Sequence, residues 1–183
     1  MSEEETKQEV KGQATKKLNP MQEIKIEKVV LSMGAVGEDL EKAVSLLKLL
    51  TNRKVAKTAS RKRIPTLGVR PGLEIGCVVT IRKEAEETLK QMLAAIDNQL
   101  KRKQISTNNF SFGIAEYIEI PGVEFQREIG IMGLDVTVVF KRTGRRVRLK
   151  KMKRGKIPKR QMISKEEIIK FMEDKFGTEF VGK

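Results

Sequence analysis

The chain has no histidine and no tryptophan, a single cysteine and a single tyrosine among 183 residues, and only 4% aromatic content. Without histidine the commonest general acid and base near neutral pH is missing, and so is the commonest nitrogen ligand for zinc. Ser-His-Asp and Cys-His chemistry is therefore excluded. One cysteine permits neither an internal disulfide nor a multi-cysteine metal site, and it suits a reducing compartment. Cys77 stands in an apolar run, where it reads as a small buried core residue and not as a nucleophile. No apolar stretch approaches the roughly 20 residues that span a bilayer. Met1 to Thr6 lack the basic start and apolar middle of a secretory signal. These absences predict a cytoplasmic protein with no membrane contact, no cofactor and no metal.

Acidic residues are missing from two segments in particular. Arg53 to Arg70 carries Arg53, Lys54, Lys57, Arg61, Lys62, Arg63 and Arg70, and Lys141 to Arg160 carries twelve Lys and Arg, with no Asp or Glu in either. The formal charge is +14, yet the remaining 145 residues hold 19 basic against 24 acidic side chains and are net acidic by 5. Positive charge gathered in this way matches a phosphate backbone, whose neutralisation releases condensed counterions. A nucleic-acid binder is predicted. Seven Phe cannot supply both a core and a platform for stacking splayed bases. Folded RNA, held by its backbone, its shape and short polar side chains, is the expected target.

Residues 1–17 are polar and without period, which predicts a flexible arm. Residues 18–140 read as an α+β RNA-binding core, and 141–183 as a basic extension and C-terminal helix of the same domain. Asn19-Pro20 marks a short helical turn. Ile24, Ile26 and Val29 to Leu31 read as a strand ended by Gly34 and Gly37. Leu40, Ala43, Val44, Leu47 and Leu50 then fall at helical spacing. A short strand near Lys54 to Thr58 leads into the basic loop, and Ile75 to Arg82 forms the next strand. Ala85, Leu89, Met92, Leu93, Ile96 and Leu100 trace a second amphipathic helix. Phe110, Phe112 and Ile114 alternate as a strand, followed by a glycine-bearing loop from Pro121 to Gly133 and another strand through Leu134, Val136, Val138 and Phe140. Ser164 and Glu167 have capping-box spacing ahead of a terminal helix that Gly177 would stop. The predicted class is α+β: an antiparallel sheet with helices packed on one face, a split β-α-β (ferredoxin- or RRM-like) core with a basic extension.

The loop from Arg53 to Arg70 has no helical period and is punctuated by Pro65 and Gly68, so it reads as a presented loop. A solvated linker is the plain alternative. Ser32 and Met33, Thr58 and Ser60, and Thr80 and Arg82 flank it on strands and could reach phosphates, base edges or ribose hydroxyls, although strand propensity alone also accounts for each Thr. Lys141 to Arg160 reads as an anchor on RNA, with a nuclear-address or membrane-surface peptide as alternatives that Gly144, Gly155 and Pro158 disfavour. Gly34-Ala35-Val36-Gly37 lacks a phosphate-loop Lys and reads as a tight turn. Glu86-Glu87 and Glu166-Glu167 lie in first turns of helices, which suits dipole and capping roles. No constellation predicts an enzyme.

Several ordered stretches carry a family resemblance: Lys28-Val29-Val30-Leu31-Ser32-Met33-Gly34, Gly68-Val69-Arg70, Glu74-Ile75-Gly76-Cys77-Val78-Val79-Thr80-Ile81-Arg82, Asn109-Phe110-Ser111-Phe112-Gly113-Ile114 and Gly133-Leu134-Asp135-Val136-Thr137-Val138. Together they resemble the universal large-subunit ribosomal protein five family, over about residues 19–140, and the basic continuation is similar to archaeal and eukaryotic members. The resemblance implies a structural protein that binds 5S ribosomal RNA and helps attach it in the central protuberance, monomeric within the ribosome. It implies RNA contact at Ser32, Met33, Gly34, Arg53, Lys54, Thr58, Ser60, Leu67, Thr80 and Arg82. It further implies that the loop with Arg61, Lys62, Arg63, Arg70 and Gly72 approaches transfer RNA in the peptidyl site. Gln104, Asn108 and Asn109, with Glu124 and Gln126, would face a small-subunit head protein across an intersubunit bridge. Ser32 and Leu67 stand where many bacterial members carry Asn and Phe; a hydroxyl offers fewer hydrogen-bonding groups than an amide, and Leu cannot stack as Phe does. From charge alone, additional contact with large-subunit ribosomal RNA is expected at Arg142, Arg145, Arg146 and Arg148, and at Lys150, Lys151, Lys153 and Arg154. A free RNA chaperone or regulatory binder of structured RNA would share the charge pattern.

Overall fold

The computed structural model describes residues 19–182, so the expected arm at 1–17 lies outside the described residues. The first of them form a turn in which the Asn19 side chain accepts from the Met21 amide at 3.2 Å. Strand β1 (Ile24–Gly34) follows, with Val29, Leu31 and Met33 buried at every second position. Helix α1 (Glu38–Thr51) starts beyond Gly37, whose φ of 66° suits glycine, and stops at Asn52 in the left-handed region. Leu40, Ala43, Leu46 and Leu47 form its buried stripe. Strands β2 (Ala56–Ala59) and β3 (Glu74–Ile81) come next, then helix α2 (Ala85–Ala94), with Ala85, Leu89, Met92 and Leu93 buried.

Helix α2 is shorter than its apolar spacing predicts. Asp97 and Asn98 both take positive φ, 52° and 57°, which short polar side chains tolerate and which ends the helix. Leu100 is buried all the same, but from strand β4 (Gln99–Lys101). Strands β5 (Ile105–Ser106), β6 (Asn109–Ile114) and β7 (Leu134–Arg142) complete the main sheet. After β7 come a one-turn helix α3 (Arg146–Leu149), helix α4 (Lys165–Phe176) and a short strand β8 (Glu179–Val181), which lies parallel to β4. The Ser164 hydroxyl and the Glu167 carboxylate form the expected capping box, and Gly177 is the expected left-handed stop.

The main sheet is antiparallel in the order β2-β3-β1-β7-β6-β5. Strand β3 lies between β1 and β2, which makes β1-α1-β2 a split β-α-β unit. Strand β7, and not β6, which precedes it in the chain, takes the place beside β1, and β6 pairs with the far edge of β7. The α+β class is as the sequence predicts. Most large apolar side chains of the central strands point to one face: Val29, Leu31, Cys77, Val79, Ile81, Val136, Val138, Phe110 and Phe112 join the stripes of α1 and α2. Burial pushes the Cys77 thiol above its ordinary value of 9.0, so it is a protonated core group. Helix α4 adds Ile168 and Met172 to this cluster. Each such burial is worth roughly 1.5–3 kcal/mol, against about 0–1 kcal/mol for an exposed ion pair such as Lys175–Glu86. Apolar packing therefore docks α4, and the ion pair only refines its position.

Candidate nucleic-acid interface

With the helices gathered on one side, the other face of the sheet is left open. The strand registers place Thr58, Gly76 and Gly34 in one row, Val78, Ser32 and Asp135 with Gly113 in the next, and Thr80, Val30, Thr137 and Ser111 in a third. These side chains are short, most often hydroxyls, and none is aromatic. Of the seven Phe only Phe125 is exposed; Phe110, Phe112 and Phe140 are buried and stacked on one another, and Tyr117 is fully buried with its hydroxyl accepting from the Gln126 amide. The face cannot hold bases by stacking on rings, in keeping with the shortage of aromatics. Only glycine fits at position 76, because a Cβ there would come within 2.7 Å of the Met33 carbonyl oxygen. Ser32, Gly34, Thr58 and Thr80 are thus brought together on one surface. Met33 is not among them: its side chain is 4% exposed and faces the helices, as strand alternation requires of a neighbour of Ser32.

The basic loop between β2 and β3 is an ordered hairpin extension. Ser60 and Leu73 are joined by a backbone bond of 2.8 Å, Ile64 and Val69 exchange bonds of 2.9 and 3.1 Å, and a turn of 3-10 helix at Pro65–Leu67 forms the tip. Gly68 and Gly72 take φ of 65° and 86°, which explains glycine at both places. Ser60 is buried, and its hydroxyl donates to the Lys62 carbonyl at 2.7 Å, so this candidate contact residue holds the loop instead of facing outward. Arg61, Lys62, Arg63 and Arg70 are exposed, and Leu67 at the tip is 73% exposed. Arg53, Lys54 and Arg82 lie at the opposite end of β3, where Arg53 donates to the Lys83 carbonyl and the Glu84 carboxylate, both at 3.1 Å. Lys54 and Arg82 are exposed beside it.

The segment after β7 is folded back on the core. Arg142 donates to Glu167 at 2.5 Å and to the Arg160 carbonyl at 3.2 Å, and Arg145 pairs with Glu27, which sits at an irregularity in β1. These two arginines, expected among the RNA contacts, are largely occupied within the protein. Arg146, Arg148, Lys150, Lys151, Lys153 and Arg154 are exposed. Four of the nineteen cations in the two acid-free segments have carboxylate partners within 4.0 Å, namely Arg53, Lys57, Arg142 and Arg145; among the described residues the other fifteen have none.

Comparison with known proteins decides the family. The family model described as "Ribosomal protein L5" matches residues 19–70, and a second model, for the C-terminus of that ribosomal family, matches residues 74–171. The chain is 42% identical over 167 residues to the large ribosomal subunit protein uL5 of Nanoarchaeum equitans, covering 89% of this chain and 99% of that protein. It is 41% identical over 172 residues to the uL5 protein of Sulfurisphaera tokodaii, covering 91% and 97%. The chain belongs to the ribosomal L5 family. It is a structural, non-enzymatic protein of the large ribosomal subunit, associated with ribosomal RNA in the cytoplasm.

Two basic ends flank the open face, with the carboxylate of Asp135 between them. Asp135 is exposed opposite Ser32 and Gly113, and sequence reading alone missed it as a site residue; the alternation of Leu134, Val136 and Val138 was the signal that could have found it. The five residues expected at a bridge do not form one patch. Asn108 and Asn109 lie at one end of β6, and Glu124 and Gln126 belong to the loop that follows its other end. Asn108 is also engaged inside the protein, its carboxamide oxygen accepting from the Ile163 amide at 2.7 Å. Gln104 accepts from the Lys101 amide at 2.9 Å and borders the open face near Ser111 and Asp135. Among the described residues no helix is long and apolar enough to cross a membrane, and no group of three His, Cys, Asp or Glu could hold a metal ion.

Proposed function

We propose that this protein binds 5S ribosomal RNA with the open face of its sheet and helps attach that RNA in the central protuberance of the large subunit. The observation that carries the reading is the face itself: Ser32, Gly34, Thr58 and Thr80 share one open, hydroxyl-bearing surface, with unpaired cations beyond both of its ends. Ser32, Gly34, Thr58, Thr80, Lys54 and Arg82 are the protein's side of that contact, with Leu67 and the cations of the hairpin loop reaching beyond it. On the same reading the loop with Arg61, Lys62, Arg63 and Arg70 lies near transfer RNA in the peptidyl site, and the loop with Glu124 and Gln126 meets a small-subunit head protein. Lys150, Lys151, Lys153 and Arg154 engage ribosomal RNA beyond the other end of the face, the 5S RNA included.

The test is binding of the purified chain to 5S ribosomal RNA of its own organism at near-physiological salt, with excess transfer RNA as competitor. Saturable binding that survives the competitor is expected. Joint replacement of Thr80 by Val and Arg82 by Gln should weaken it more than replacement of Lys42, Lys48 and Lys90 on the two helices, which lie on the other side of the sheet. Equal losses would remove the open face as the site. Binding abolished by transfer RNA would favour a general chaperone of structured RNA.

A further inference from the structure

The turn after β7 encloses a small cavity lined by three arginines. Arg142, Arg145 and Arg148 border a space of about 60 Å³ together with Asn108, Thr143 and Gln161, on an apolar floor that includes Phe140 and Ile157. Two of the three guanidinium groups are held in place from outside the cavity, Arg142 by Glu167 and Arg145 by Glu27. Arg148, which is exposed, has no carboxylate partner among the described residues. The group therefore keeps net positive charge, with three cations against two anions. Arg142 also has a donor to spare, since its Nε is buried and without an acceptor. Arg is the side chain best shaped to bind phosphate oxygens through several N–H groups at once.

We infer that this cavity is a binding site for a single phosphate group, held by Arg142 and Arg148 with Gln161 and Thr143 as neutral partners. The turn that forms it carries exposed cations on its outer surface, which would draw a polyanion to its mouth. Two sources share this chemistry, an RNA backbone and free inorganic phosphate. The site rests on its own geometry; only its assignment to RNA rests on the reading given under Proposed function.

The full-length protein labelled with ¹⁵N would be titrated with inorganic phosphate, and in parallel with chloride at matched ionic strength, while the Arg142 Nε–Hε resonance is followed by NMR. A saturable shift with phosphate and none with chloride is expected. Gln161→Glu, which brings a carboxylate to the cavity, and Arg148→Ala should each weaken the phosphate response by about tenfold or more. Neither change removes a member of the Arg142–Glu167 or Arg145–Glu27 pair, and the remaining amide spectrum would verify that the fold is kept. Arg142→Ala is avoided because it strands Glu167. If the phosphate belongs to RNA, the same two variants also flatten the salt dependence of 5S RNA binding by about 0.7–0.9 log units per log unit of salt. If the salt dependence is unchanged while the phosphate response is lost, the site takes free phosphate. The absence of a saturable phosphate shift overturns the site, whatever becomes of RNA binding to the sheet face.

Discussion

Glu167 serves two structures with one carboxylate. Its Oε2 accepts from the Ser164 amide at 2.9 Å, closing the capping box of α4, and its Oε1 accepts from Arg142 at 2.5 Å. The first contact is local and could be read from spacing; the second joins residues 25 apart, and no sequence rule pairs them. Ser164→Ala should reduce stability by about 1 kcal/mol, the usual effect of a lost N-cap. Glu167→Ala should reduce it further, by about 2–3 kcal/mol, because Arg142, only 12% exposed, is left charged without its carboxylate. Urea denaturation of both variants checks the order, and equal losses would mean that the ion pair adds nothing. Met33 and Ser60 teach a related lesson. Motif matching places Met33 beside Ser32 on the binding face, yet the period-two burial of Val29 and Leu31 already assigns Met33 to the core. The Ser60 hydroxyl turns inward through a bond to its own loop, which nothing in the local sequence announces.

Elements defined by local pattern are legible in the sequence, and those that depend on distant partners are not. The 3.6-residue period finds α1 and α4, and alternation finds β1, β3, β6 and β7, because each buries one face against the same core. Strand β8 escapes such reading since its only reason to be extended is its parallel pairing with β4, about eighty residues earlier in the chain. The end of α2 is misplaced by pattern because apolar spacing continues to Leu100 while Asp97 and Asn98 turn the backbone left-handed. The hairpin loop falls between these cases: its glycines and proline mark a loop, but its ladder depends on Ser60 and Val69. That dependence gives a prediction at this scale. Ser60→Ala removes the hydroxyl bonds to Lys62 and should loosen the loop locally by about 1 kcal/mol without unfolding the sheet. Hydrogen exchange checks it: the Ile64 and Val69 amides should exchange about fivefold faster, with those of Leu31 and Val79 unchanged.

Across the whole molecule the topology sets where the two basic segments lie. The hairpin loop leaves β2 and enters β3 at the end of the sheet where Gly34 pairs with Gly76. The extension leaves β7 at the other end, where Arg142 pairs with Ile24. The eleven residues of β1 separate them, a span of roughly 35 Å. That distance exceeds the Debye length of about 8 Å at physiological salt, so the two clusters act as separate charges toward an RNA that spans the face. Sites so far apart, with no contact between them within the protein, contribute additively. Replacing Arg61, Lys62 and Arg63 by Gln should flatten the salt dependence of 5S RNA binding by about 2–3 log units per log unit of salt, provided that all three neutralise phosphates. Replacing Lys150, Lys151 and Lys153 by Gln should do the same, and the combined variant should show the sum of the two changes in slope and in log affinity. All six residues are exposed, so stability should change by no more than about 0.5 kcal/mol per site. An RNA held by one end alone would give a different result, with one triple variant silent and the combined variant no weaker than the other. The salt series would then identify the end that the RNA leaves free.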